Sequence, residues 1–482
     1  MLYSKQTGRP LHPHPARVLD PAFAGSGQAD GQTPGAGDGV KAPQRMTPQY
    51  LQQAYDLSAL SARNGSGDKV AVIAAYSDPN LAQDLAVYRS TYGLRPCTAS
   101  SGCLTVLNQT GQSDPMPDVN WDWAQEQSMD VDAVSAICPN CEIEVIEADS
   151  ASTGDIEAAV QEAAGSGASQ ISISGAGLFA QNPFTAFGRP GVAILAAAGD
   201  DGAAPAGEAD YPAALPNVTA VGGTTLRPAG AGSHSLRGVK ETVWSMSGSG
   251  CDTQEQPLAY QTDPNCAGRQ YADVSADANP ATGLMFYDSQ AGGWLVGGGT
   301  SLATPVVAAF EAITGVSGAT AAWAYGDKAH LNSLSAGQAG TCLPGAAEAC
   351  QARLSDLDRD GAGAISGQIV TGAPGIGEPV YGSGSSIGYA RSLRGRQVRL
   401  AAGLYPNGER TSYFWQYGLT SRYTQRTKRF SVAATAQLVP AHGQLRGLKP
   451  GTVYHYRLVA VNASGTTYGF DYHFRTKGGA GR

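Results

Sequence analysis

From Thr47 onward the chain alternates short apolar runs with amphipathic ones, and this alternation restricts the fold more than any other feature. Lys69-Val70-Ala71-Val72-Ile73-Ala74-Ala75-Tyr76 reads as a buried strand, and Asn80 to Tyr92 carries apolar residues at helical spacing. A further run, Glu142 to Glu147, precedes a helix from Asp155 to Ala164, and Gln170 to Ser174, Val192 to Ala198 and Val218 to Val221 follow. Strands this apolar need cover on both faces, which a parallel sheet between helices provides. The expected fold is α/β, with its functional groups at the carboxyl ends of the strands.

Residues 1–45 are rich in Gly, Pro, Ala and Gln without periodicity, and read as a disordered leader or linker. The α/β part runs from 46 to 380. After a linker at 381–395, residues 396–476 alternate polar with apolar or aromatic side chains (Val398 to Leu404, Thr411 to Tyr417, Val453 to Val461), between turn signals such as Pro406-Asn407-Gly408 and Pro450-Gly451. This predicts a small antiparallel β-sandwich, followed by a tail at 477–482. Tyr413 and Trp415 could mark a binding face there, but strand aromatics are more often core.

Composition narrows the function. Only 15% of the 482 residues are charged and 63 are glycine, which describes a turn-rich globular protein suited to export. A net charge of −8 with pI near 5.4 offers no basic stripe to neutralise phosphates, so nucleic acid is not expected as a partner. Eight cysteines fall in four close couples, Cys97 with Cys103, Cys138 with Cys141, Cys251 with Cys266 and Cys342 with Cys350, which reads as four short-loop disulfides in an oxidising compartment. Cys138-Pro139-Asn140-Cys141 lacks the second pair or nearby histidines that zinc would need. No run approaches the roughly 18 apolar residues of a membrane span, and Met1 to Pro15 lacks the apolar core of a signal peptide. The expected molecule is a secreted monomer whose export signal lies outside this chain.

Gly297-Gly298-Gly299-Thr300-Ser301 delivers one serine to an apolar helix, Pro305 to Gly315. A serine there commonly just caps the helix. Three glycines, however, permit close approach of a substrate carbonyl, and the helix end offers N–H groups to an oxyanion, so Ser301 is also a candidate nucleophile in need of a base. Between residues 46 and 380 the only histidines are His234 and His330, and neither lies in a catalytic setting. Carboxylates remain. Glu126 and Asp130, four apart in the helical stretch Trp121 to Val134, project from one face. On a solvated surface such a pair means nothing; inside a cleft it would share one proton and could serve as base and orienter.

These stretches resemble the sedolisin family, the serine-carboxyl peptidases with a subtilisin-like fold. The resemblance is carried by Glu126-Gln127-Ser128-Met129-Asp130, Ala198-Gly199-Asp200-Asp201-Gly202, Tyr211-Pro212-Ala213 with Val218 to Thr224, Ala272-Asp273-Val274-Ser275-Ala276-Asp277, and Gly299 to Pro305, in that order. It implies a secreted endopeptidase that hydrolyses proteins or peptides at acidic pH through an acyl-enzyme on Ser301. Glu126 would be general base then acid, Asp130 its orienting partner, and Asp200 a protonated donor to the oxyanion.

The chain also departs from the family pattern. The positions matching its calcium aspartates hold Ser333 and Thr371, so calcium is not assured. Asp356, Asp358 and Asp360 begin an EF-hand-like loop that lacks its closing acid, a weak alternative site. Ser172-Ile173-Ser174-Gly175-Ala176-Gly177 replaces a Ser-Asn-Ser-Tyr-Gly-Gly stretch, and no segment matches the family's large pro-domain. The rival reading is a catalytically weak or inactive binding or adhesion protein on the same scaffold. Residues 396–476 resemble a fibronectin type III-like domain through Gly447 to Leu458 and Asn462 to Gly469.

Overall fold

The computed structural model describes residues 46–175, 185–204, 209–228, 239–261, 266–315, 320–326, 331–332 and 334 of the α/β part. It also describes 375–377, 391–393, 397–406, 410–420, 422–434, 439–463, 466–468 and 472–476 of the C-terminal part, with a two-strand pair at 2–3 and 10–11. The rest of the expected leader, the Cys342–Cys350 couple, both histidines, Ser333, Thr371 and the Asp356–Asp360 loop lie outside the described residues.

The α/β unit holds an eight-stranded sheet with the expected character. Its strands are β1 (Lys69–Ala75), β2 (Leu104–Asn108), β3 (Glu142–Ala148), β4 (Gln170–Ile173), β5 (Ala193–Ala197), β6 (Thr219–Pro228), β7 (Val239–Val243) and β8 (Val274–Asp277). They stand in the order β8-β6-β5-β4-β1-β3-β2, every pair in that path parallel, with β7 against β6. The apolar runs are buried along nearly their whole length because helices cover them: α1 (Leu81–Thr91), α2 (Trp121–Ile137), α3 (Thr153–Gly165) and α4 (Gly299–Thr314). A hairpin, β9 (Leu284–Asp288) with β10 (Gly293–Gly297), leads into α4.

β6 is longer than its apolar run, which stops at two glycines. Glycine ordinarily weakens a strand, but a Cβ on Gly223 would lie 2.6 Å from Ala278 Cβ and 2.9 Å from Trp244, so close packing requires the bare backbone.

Helix α4 also begins earlier than the sequence reading, at Gly299 instead of Pro305. Tertiary hydrogen bonds outweigh the poor helix propensity of Gly299-Thr300-Ser301. Gly299 N–H donates to Ala278 O at 2.5 Å, and Thr300 N–H to Asp200 Oδ1 at 2.8 Å. Proline is disruptive inside a helix because it lacks a donor for the carbonyl four residues earlier. Here that carbonyl belongs to Ser301, and Ser174 Oγ reaches it at 3.2 Å.

Three of the four expected disulfides are present, Cys97–Cys103, Cys138–Cys141 and Cys251–Cys266. Beside the third, Arg269 and Asp273 form a buried ion pair at 2.5 Å; Asp273 also accepts from Ala220 N–H at 2.8 Å, tying its loop to β6.

The C-terminal unit is an antiparallel sandwich. One sheet contains β11 (Gln397–Tyr405) and β15 (Val439–Arg446) with the short strands Gly375–Gly377 and Arg391–Leu393. The other contains β12 (Thr411–Gly418), β13 (Gln425–Arg426), β14 (Phe430–Val432), β16 (Val453–Val461), β17 (Thr466–Tyr468) and β18 (Tyr472–Arg475). Tyr413 and Trp415 belong to its core, with Leu400, Leu445, Tyr456 and Leu458, so the core reading of those aromatics holds.

Candidate active site

Helix α2 starts where Asn120 accepts the N–H groups of Asp122 and Trp123 at 3.1 and 3.3 Å, a side-chain cap. From Trp123 onward it is buried on nearly every side, and with it Glu126, 2% exposed, and Asp130, 1%. A third acid, Asp132, points elsewhere and accepts Tyr287 N–H at 3.0 Å from the hairpin. Helical pitch therefore separates the pair that faces the site from a structural neighbour.

Ser301 sits in the first turn of α4 and is 2% exposed. Its Oγ donates to the Ser174 carbonyl at 3.1 Å. Ser174, directly after β4, donates its hydroxyl to Asp130 Oδ2 at 2.7 Å. The Glu126 carboxyl lies near enough to the Ser301 hydroxyl to be influenced by it, although neither Glu126 oxygen makes a hydrogen bond of regular geometry.

Electrostatics mark the cluster. Burial raises Glu126 well above the ordinary carboxyl range and Asp130 next to it raises it further; the Ser301 hydroxyl opposes this and Asp200 adds to it. Burial raises Asp130 too, opposed by the Ser174 hydroxyl. Two buried carboxyls without a cation beside them hold a proton between them.

Asp200 follows β5. Its Oδ1 accepts both the N–H and the hydroxyl of Thr300 at 2.8 Å each, so it caps the helix that bears Ser301 from a distant segment. Gly299 has φ +85°, and a Cβ there would stand 2.5 Å from Asp200 Oδ2. Glycine is thus needed both for the backbone and for the approach of Asp200. Thr300 Oγ1 also accepts Gly199 N–H at 3.1 Å, locking the end of β5 to the start of α4.

All four residues singled out in the sequence, Ser301, Glu126, Asp130 and Asp200, thus converge at the carboxyl-end side of the sheet. Ser174 and Thr300 join them. Ser174 lay inside a stretch read only as a departure, and the one signal for it is Pro305, which leaves a helical carbonyl needing a donor. Among the described residues no group of three or more His, Cys, Asp or Glu is placed to hold a metal ion.

Comparison with known proteins agrees with the fold. The sequence pattern described as the Subtilase family matches residues 54–322. Kumamolisin from Bacillus sp. (strain MN-32) is 30% identical over 309 residues, 56% of this chain and 52% of that protein. Sedolisin from Pseudomonas sp. (strain 101) is 36% identical over 108 residues, 20% of this chain and 17% of that protein. The chain thus spans about half or less of the length of these curated relatives. Among solved structures, Pseudomonas sedolisin, a serine-carboxyl proteinase complexed with two molecules of pseudo-iodotyrostatin, superposes with a TM-score of 0.52 at 21% identity, covering 63% of this chain and 91% of the other.

Proposed function

The chain belongs to the subtilase family, and from that premise we propose that it is a secreted serine-carboxyl endopeptidase, hydrolysing peptide bonds at acidic pH through an acyl-enzyme on Ser301. The observation that carries this reading is the buried convergence of Ser301 with two carboxyls four residues apart on α2.

With the shared proton on Asp130, Glu126 is ionised and accepts the Ser301 proton as Oγ attacks the peptide carbonyl carbon. The oxyanion takes hydrogen bonds from Ser301 N–H, at a helix start where N–H groups lack helical acceptors, and from protonated Asp200. Since Oδ1 of Asp200 accepts from Thr300, the donated proton belongs on Oδ2. Glu126 then protonates the leaving amine, and water, deprotonated by Glu126, releases the acid and restores Ser301. The substrates are proteins or peptides, met by a monomer; the C-terminal sandwich is a fibronectin type III-like accessory module. Domain limits of 46–380 and 396–476 accompany this reading.

The direct test is cleavage of a denatured protein at about pH 4, where carboxyls titrate, by wild type and Ser301→Ala. Loss of activity in the variant alone supports the assignment. Equal activity removes Ser301 from the mechanism, and an inactive wild type leaves the binding-scaffold reading.

A further inference from the structure

The net charge of −8 is the sum of two unequal parts of opposite sign. Through residue 390 the chain has 17 Lys and Arg against 38 Asp and Glu; from Arg391 to Arg482 it has 15 against 2. The absence of a basic stripe therefore holds for the α/β part alone. Among the described residues between 397 and 476 there is no Asp or Glu.

Part of this excess is displayed on one sheet face. Gln416 of β12 lies opposite Arg426 of β13 and Arg457 of β16, and opposed residues share a face. Alternation turns Tyr413 and Trp415 into the core, leaving Ser412, Phe414 and Gln416 outward. Phe414 is nevertheless only 6% exposed, because the guanidinium groups of Arg429 and Arg426 lie 5.0 and 5.7 Å from its ring centroid. Arg457 stacks 4.5 Å over Tyr423 and donates to Gln416 Oε1 at 2.8 Å. A guanidinium laid on a ring is oriented in advance and keeps in-plane N–H donors for a carboxylate or sulfate.

We propose that this outer face of the β12–β16 sheet binds an extended acidic polysaccharide through Arg426, Arg429 and Arg457. Charge complementarity requires a polyanion. A single-stranded nucleic acid would look for open aromatic rings on which to stack bases, whereas here the cations cover the rings. A bilayer would need apolar side chains to insert among the cations; Phe414 and Val459, beside the arginines, are 6% and 1% exposed, and the open apolar residues, Val453 at 41% and Leu419 at 54%, stand at the start of β16 and just past the end of β12. Three disulfides suit an oxidising compartment, outside the cytosol. Because neighbouring strands are about 4.8 Å apart, a polymer crossing them meets Arg426 on β13, the Gln416 amide on β12 and Arg457 on β16, with Arg429 just before β14.

The test applies the full chain to immobilised alginate, heparin, neutral dextran and single-stranded DNA, and to anionic vesicles, at low salt. Retention on the two acidic polymers, none on dextran, and elution by about 0.5 M NaCl are expected. Replacing Arg426, Arg429 and Arg457 together by Gln should weaken binding about tenfold or more, whereas Arg399→Gln with Arg446→Gln, exposed on the other sheet, should change it less than about twofold. If circular dichroism shows that the triple variant is unfolded, Arg426→Gln and Arg429→Gln singly should each weaken binding about threefold. Undiminished binding by the folded variants, equal loss in the control pair, or retention only on single-stranded DNA or anionic vesicles overturns the proposal.

Discussion

Ser174 and Ser301 exchange hydrogen bonds, each hydroxyl reaching the other's carbonyl oxygen, at 3.1 Å from Ser301 and 3.2 Å from Ser174. The shorter contact of the Ser174 hydroxyl is with Asp130, at 2.7 Å. One side chain therefore touches both the backbone of Ser301, the proposed nucleophile, and Asp130, the proposed partner of Glu126. Ser174→Ala keeps the carbonyl and removes only the donor. kcat should fall about tenfold with KM nearly unchanged, the scale of one ordinary hydrogen bond. Steady-state kinetics on a peptide substrate check this, and an unaltered kcat would refute it.

Glu126→Gln cannot take a proton, so kcat/KM should drop by about a thousandfold, within the range for general-base loss. The same change removes a charge from a buried pair, so melting at pH 7 should move upward. A variant that is inactive and less stable at pH 7 would contradict the shared-proton picture.

Asp200 separates cap from donor. Asp200→Ala should lower kcat about a hundredfold or more and also loosen the start of α4. Asp200→Asn retains an acceptor for Thr300 and a donor that needs no protonation, so part of the activity should survive and the alkaline limb of the pH–rate profile should move to higher pH. A pH series on both variants decides, and an alkaline limb that stays in place for Asn removes Asp200 as the titrating donor.

Stability should be greatest in acid. Burial pushes Asp78 to about 7 and Glu311 to about 8, and raises Glu126, Asp130, Asp132 and Asp277 as well. An unfolded carboxyl ionises near pH 4, before its folded counterpart. The stability these groups confer is thus complete below about pH 4 and is lost as pH rises through 7 to 8. Tm should fall by at least about 5 °C between pH 4 and pH 8; calorimetry showing a rise instead would falsify this.

Arg269→Met leaves Asp273 buried without its cation, in a loop that also binds Ala220 N–H. Destabilisation of about 3 kcal/mol is expected, the usual cost of an orphaned buried charge. Urea unfolding at pH 5 measures it, and a loss below about 1 kcal/mol would mean that Asp273 neutralises itself.

Much of this was legible from local pattern. Buried strands announce themselves by apolar runs, and Glu126 and Asp130 by a spacing that any helix converts into a shared face. Asp200 was legible as a residue after a strand; its capping of Thr300 was not, because that joins residues a hundred positions apart. The same non-local bonds extended α4 back through glycines that propensity would exclude. Ser174 stayed hidden because its task arises only where β4 packs beside a proline-containing helix. The arginine face stayed hidden because a whole-chain sum cancels the opposite charges of the residues before and after 390.

Fifteen of the sixteen residues of α4 are buried, from Gly299 through Ile313. Backbone amides in such an element exchange with solvent only when the whole unit opens, while fraying is confined to termini and loops. The backbone that carries Ser301 and the core would therefore open in the same event. A catalyst built this way would have no partly opened form that both digests and can be digested, so its working lifetime would follow the rate of global unfolding.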